Sequence, residues 1–314
     1  LELAVGGFYE TEPTFGRCGL KHAIRSESVT FVSDSYNVEP WSLKFNDELD
    51  GNADYVWRPP EKERLGTAVC FPLMGMLPGG RYFYDGEYYN LGMHGFAQDR
   101  EFEVESKSDT RVSYRLVDDP ESLARFPWRF SFSVAYSVSG ATVSTEYRIE
   151  NRDDKEMFFT AGGHPRFACP IGGEGGFEDY VVEFEKPQNI GDVSKSYGPL
   201  EEIGKRLGGE GRTLRLDYAM FTVGCFCFRP VNSRRVRLRN DRGNRGLTID
   251  IGSANQLQFW TEAGGRFICI EPIYGSTSRL PMVPEDEDWM NRPGTLRLAS
   301  GGTHTCGYSV TIRR

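Results

Sequence analysis

Phe130-Ser131-Phe132-Ser133-Val134-Ala135-Tyr136 alternates large apolar side chains with small or polar ones, and after Ser139-Gly140 the alternation resumes at Val143, Thr145, Tyr147 and Ile149. A period of two sends successive side chains to opposite faces of an extended chain. The stretch therefore reads as a hairpin of two long strands, each with one buried face. Working outward, Tyr82-Phe83-Tyr84, the turn signal Asp85-Gly86 and Tyr88-Tyr89 read as a second hairpin. Further strands are expected at 111–117, 180–185, 235–239, 246–251, 256–261, 266–271, 295–299 and 306–312. Helical periodicity is weak, with short turns of helix expected at 120–124 and 285–290. The glycine-rich stretches 172–176 and 204–211 read as loops. Many strands separated by closely spaced turn signals make an all-β sandwich or barrel. No fixed-period repeat and no break in composition divides the chain, so residues 1–314 are read as one domain.

The composition agrees. Of 314 residues, 36 are Gly and 17 are Pro, both unfavourable inside helices, while 39% are hydrophobic, enough for a large core. Thirty-seven basic against 45 acidic residues leave a net charge of −8, which gives no electrostatic reason to expect nucleic acid or an anionic membrane as a partner. No run approaches the roughly 18 apolar residues of a membrane span. The first residues, Leu1-Glu2-Leu3-Ala4, show no basic region followed by an apolar run, so a cytoplasmic protein is expected, with room left for an upstream segment because the chain does not open on Met. The seven cysteines (18, 70, 169, 225, 227, 269 and 306) are odd in number and several lie in apolar runs, which reads as buried reduced thiols. Cys225-x-Cys227 lacks a second pair to complete a zinc site, so no metal is expected.

Polar groups inside apolar stretches carry the chemical signal. His94 lies in Met93-His94-Gly95-Phe96-Ala97-Gln98, and His164 in Ala161-Gly162-Gly163-His164-Pro165-Arg166-Phe167. Glu271 ends the apolar run Phe267-Ile268-Cys269-Ile270, just before Pro272. Taken singly, each is equally a loop residue, a satisfied core residue or a strand end. The other two histidines, His22 and His304, sit in polar, turn-like contexts and read as surface residues.

The block Cys70-Phe71-Pro72-Leu73-Met74-Gly75, the Asp85-Gly86 hairpin, Met93-His94-Gly95-Phe96-Ala97, Gly162-Gly163-His164-Pro165-Arg166-Phe167, Gln258-Phe259-Trp260-Thr261, Phe267-Ile268-Cys269-Ile270-Glu271-Pro272 and the closing Ser300-Gly301-Gly302 follow one another in a familiar order. Together they resemble the aldose 1-epimerase (galactose mutarotase) family, in its subgroup with a His-Gly-Phe-Ala motif. The resemblance implies a large antiparallel β-supersandwich with few short helices, and an isomerase that interconverts the α and β anomers of an aldose by opening and closing the ring. It implies Glu271 as the base at the anomeric hydroxyl, His164 as the acid at the ring oxygen, and His94 as a group that binds beside that oxygen and assists. The implied partner is a small-molecule sugar, handled by a monomer or homodimer without metal or nucleotide cofactor. Trp260 and Phe96 are either apolar faces for the sugar's C–H groups or core residues.

The sequence departs from the family pattern where the sugar is held. The subgroup's Phe-Pro-x-x-Gly-Arg-Leu is here Phe71-Pro72-Leu73-Met74-Gly75-Met76-Leu77, and a thioether offers none of a guanidinium's fork of charged donors. The Arg of His-Gly-Phe-Ala-Arg is Gln98, which keeps a hydrogen-bonding amide, and an Asp that some members carry falls near Gly224. Arg81 is either a compensating cation or a strand-edge surface charge. The altered grip leaves open a second reading, a carbohydrate-binding or sensing protein with little or no turnover.

Overall fold

The protein is described here by a computed structural model. The structure describes residues 19–59, 68–193, 199–276 and 288–314. The opening hairpin is present as Phe130–Ser139 paired with Thr142–Asn151 in register, Phe132 opposite Ile149 and Val134 opposite Tyr147. It belongs to a ten-stranded antiparallel sheet. On one side follow Arg111–Val117 and Glu103–Lys107. On the other follow Thr303–Arg313, Gly246–Asp250, Arg235–Asn240, Tyr180–Phe184, Thr213–Arg215 and Leu207–Gly208. A second sheet of six strands runs Phe226–Phe228, Gln256–Trp260, Phe267–Tyr274, Ala161–Gly163 and Val69–Cys70, with Arg166–Ala168 also pairing along Phe267–Tyr274. A three-stranded sheet (Lys21–Arg25, Val29–Asp34, Pro40–Phe45), the hairpin of Arg81–Tyr84 with Glu87–Asn90, and the pairing of Met157–Phe159 with Leu296–Leu298 complete the described strands.

The two large sheets face one another across an aromatic core. Phe71, which follows Val69–Cys70, stacks on Phe132 of the ten-stranded sheet at 4.6 Å. Tyr147 meets Tyr274 at 6.2 Å, and Phe184 meets Phe259 at 6.3 Å. All these rings are buried, and each fully buried aromatic contributes on the order of 2–3 kcal/mol from area alone. Gly163 marks how closely the layers approach: a Cβ there would stand 2.6 Å from the Tyr308 ring.

Two expectations are corrected. Residues 204–211 are not a loop throughout, because the helix Leu200–Arg206 runs into them. Glu201 and Glu202 in its first turn and Lys205 and Arg206 in its last complement the helix dipole, and buried Ile203 docks it, which outweighs Gly204. His22 and His304 lie on strands, half-buried, against Tyr114 and Phe159 at 5.8 and 5.7 Å. The helix expected at 120–124 is present as Pro120–Leu123, closed by an Asp119–Ser122 capping box. Of 285–290, the last residues enter the 3-10 turn Trp289–Asn291, and 285–287 lie outside the described residues, as does Cys18.

Candidate active site

Alternation along Phe267–Tyr274 sends Ile268, Ile270 and Tyr274 toward the aromatic core and Cys269, Glu271 and Ile273 to the opposite face. All eight residues of this strand are buried, so the second face is covered as well. Register places Gln258 directly opposite Glu271, with Cys227 beyond it on the next strand. Gln258 Nε2 donates to Glu271 Oε2 at 2.8 Å, while Oε1 accepts no hydrogen bond. Burial pushes the carboxyl's pKa up to about 8, partly opposed by Gln258 and by the positive charge of Arg166.

His164 follows Gly162-Gly163, and its N–H donates to the Ala68 carbonyl at 2.9 Å. Its Nε2 lies 3.4 Å from Glu271 Oε1, and its buried Nδ1 has no hydrogen-bond partner. Burial holds the imidazole well below its ordinary pKa, reinforced by His94 and Arg166. Both shifts oppose charge, so the resting pair is neutral, with one proton between a carboxyl and an imidazole.

His94 stands perpendicular to His164, ring centroids 5.4 Å apart. It arrives in a left-handed backbone conformation (φ 63°), uncommon outside glycine, held by its N–H donating to Gly75 O at 2.7 Å. The next residue is Gly95 because a Cβ there would collide with the Phe71 carbonyl. That same carbonyl accepts the N–H groups of Phe96 and Ala97. The Gly75 N–H donates to His94 Nδ1 at 3.2 Å, and the Cys70 sulfur lies 3.4 Å from the same nitrogen. An Nδ1 that accepts leaves the proton on Nε2, so His94 is a neutral imidazole with a fixed Nε2–H donor. Burial lowers its pKa to about 4, which keeps that state.

The structure thus brings His94, His164 and Glu271 together. Trp260 joins them, half-buried and edge-on to His164 at 6.0 Å. Phe96 is in the core, 5.8 Å from Phe130. Gln98 donates to the carbonyls of Met93 and Gly95 at 2.6 and 3.3 Å, tying together the backbone on either side of His94. Arg81 lies over Tyr88 on the exposed hairpin, 4.4 Å from the ring centroid. Sequence reasoning assigned no role to Gln258, Gly75, Cys70 or Cys269. Gln258 carried a usable signal: in Gln256-Leu257-Gln258-Phe259 the amides fall on one face of a strand whose other face is apolar.

The described cysteines are free, five of them buried and Cys225 half-buried. Ligand atoms of His164, Cys269 and Glu271 lie within 4.8 Å of one another. A soft dication would need the thiol and carboxyl deprotonated, yet burial raises both pKa values and the Arg166 charge acts on the same cluster.

The sequence profile described as aldose 1-epimerase matches residues 41–308. Two LacX proteins of Lactococcus lactis subsp. lactis, one chromosomal and one plasmid-borne, are each 26% identical over 305 residues, covering 92% of this chain and 98% of theirs. A galactose mutarotase related enzyme from Lactobacillus acidophilus superposes with a TM-score of 0.80 at 23% identity, covering 94% of this chain and 98% of its own. A galactose mutarotase-like protein from Lactobacillus casei ATCC 334 gives 0.80 at 24% identity, covering 93% and 100%. These two share the supersandwich fold, and with the match over residues 41–308 the chain belongs to the aldose 1-epimerase family.

Proposed function

We propose that this isomerase works on a free aldose through His164, Glu271 and His94. The observation that carries the assignment is the buried His164–Glu271 pair, 3.4 Å apart, beside a fixed imidazole donor. Ring opening needs one proton removed from the anomeric hydroxyl and one delivered to the ring oxygen, so a pair holding a single proton is in balance. A sugar whose anomeric O–H donates to Glu271 Oε1 supplies the hydrogen bond that oxygen lacks, stabilises the carboxylate and moves the shared proton to His164. Glu271 then takes the anomeric proton while His164 protonates the ring oxygen, and His94 Nε2–H donates to that oxygen. The C1–O5 bond breaks, the anomeric oxygen becomes the aldehyde, and rotation about C1–C2 followed by the reverse transfers closes the ring as the other anomer. Trp260 offers an apolar face to the sugar's C–H groups.

Polarimetry on freshly dissolved α-D-galactose and α-D-glucose tests this: the protein should speed equilibration, and His164→Gln should remove nearly all of the acceleration. The non-catalytic sugar-binding reading rests on Met76 standing where the subgroup has Arg; it prevails if these sugars bind with measurable heat and none equilibrates faster. We read residues 1–314 as one domain, a monomer or homodimer without a nucleic-acid partner, in keeping with the charge of −8. The free cysteines fit a reducing cytoplasm.

A further inference from the structure

Three positions bear on the sugar's grip. Met76 has no charge, Gln98 clamps the His94 loop, and Arg81 lies over Tyr88. A fourth residue meets the requirement from another direction. Arg166 lies two positions beyond His164, on the strand Arg166–Ala168, directly opposite Cys269 in register. Its guanidinium lies over two rings, 5.7 Å from the centroid of Trp260 and 5.6 Å from that of Phe267. Trp260 in turn packs against His164. Arg166 is half-buried, and its side chain hydrogen-bonds Cys269, which lies two residues before Glu271 on the same face of the strand, so the cation stands beside the acid–base pair. Its charge reaches that pair, working against the protonation of both Glu271 and His164.

We propose that Arg166 holds sugar hydroxyls at this site, replacing from the His164 strand the grip that the subgroup's Arg supplies from the loop now carrying Met76. The inference rests on the mutarotase reading above. A guanidinium presents a planar fork of donors, which suits neighbouring hydroxyls, and an indole face keeps that plane fixed. A grip from this side turns the ring relative to other members, so this chain and those members need not favour the same aldose.

The test compares wild type, Arg166→Gln and Arg166→Lys on D-galactose and its 2-, 3-, 4- and 6-deoxy forms, by polarimetry for kcat and KM and by calorimetry for binding. Arg166→Gln should raise KM and Kd by about 10- to 100-fold, the loss of a charge-assisted hydrogen bond, while kcat at the pH plateau falls less. Arg166→Lys should recover part of the affinity. For at least one deoxy sugar the substitution should cost little, because the missing hydroxyl is Arg166's partner and the two losses are not additive. An equal cost across the whole deoxy series means that Arg166 acts only through the protein, and overturns the proposal. So does an unchanged KM. Binding without turnover in the wild type would sink the enzyme reading yet still report on Arg166 through Kd, whereas no binding of any of these sugars removes both.

Discussion

The two large sheets follow the same period-two rule and treat polar side chains in opposite ways. In the ten-stranded sheet the outer face meets water. Thr142–Asn151 alternates buried and accessible positions, and its charges pair along the surface, as Glu146 does with Arg111 at 3.0 Å. In the six-stranded sheet both faces are covered, and polar side chains on the second face (Gln256, Gln258, Glu271) have no water to turn to. A carboxylate on the first sheet is solvated and electrostatically cheap; on the second it is desolvated, its proton is retained to about pH 8, and it stands 3.4 Å from an imidazole. The layer that buries polar groups holds the proposed acid–base set, and the layer that does not pairs its charges at a water-facing surface.

The contrast breaks first at Glu271. Glu271→Gln keeps size and the Gln258 contact but removes the proton acceptor, so kcat for mutarotation should fall by about 10²–10⁴-fold with folding intact. Polarimetry alongside circular dichroism reads both; near-wild-type kcat would strip the buried face of its chemical role. The seam between the sheets should yield next. Phe71→Ala deletes a ring packed on Phe132, Phe130 and Phe159 and should cost about 3–5 kcal/mol in urea unfolding. It should also lower activity, because the Phe71 carbonyl fixes the turn that presents His94.

How much of this was legible in the sequence follows from the same contrast. Strands of the ten-stranded sheet such as Thr142–Asn151 and Arg235–Asn240 announce themselves because a water-facing side forces alternation. The six-stranded sheet reads as apolar runs, so its extent was underestimated: the strand expected to end at Glu271 continues through Pro272 to Tyr274. The family motifs pointed to His94, His164 and Glu271, whose meeting depends on contacts between strands far apart in the chain. Spacing could show neither the Gln258–Glu271 register nor the Gly75 N–H that fixes the His94 tautomer, since both are set by tertiary pairing. The helix Leu200–Arg206 was readable from its charge order and was masked by the glycines that follow.

Stability against pH sharpens the comparison. Glu271's pKa is raised from 4.5 in the unfolded chain to about 8 in the fold, so between those values the native state binds more protons than the unfolded one. Its contribution is therefore fully present below about pH 4.5 and is lost as pH rises toward 8. His94, lowered from 6.5 to about 4, contributes the opposite slope, losing stability as pH falls through that window. Glu271→Gln should then be more stable than wild type at pH 8, with the advantage shrinking toward pH 5 in urea titrations. A constant difference across that range would mean that the buried carboxyl is not protonated in the fold.

The smallest effect is expected from the same chemical change on the other sheet. Glu146→Gln removes one charge from a pair with Arg111 in which both side chains are about half exposed. Water solvates the carboxylate as well in the fold as outside it, and ordering two long side chains offsets the attraction, so the loss should be under about 1 kcal/mol and should shrink further in high salt. Mutarotation should be unchanged, because residue 146 is on the water-facing side of a strand whose other side, through Tyr147, packs toward Tyr274 and the sheet of the site. If Glu146→Gln instead altered kcat, the ten-stranded sheet would not be a passive support, and the division of labour between the layers would have to be redrawn.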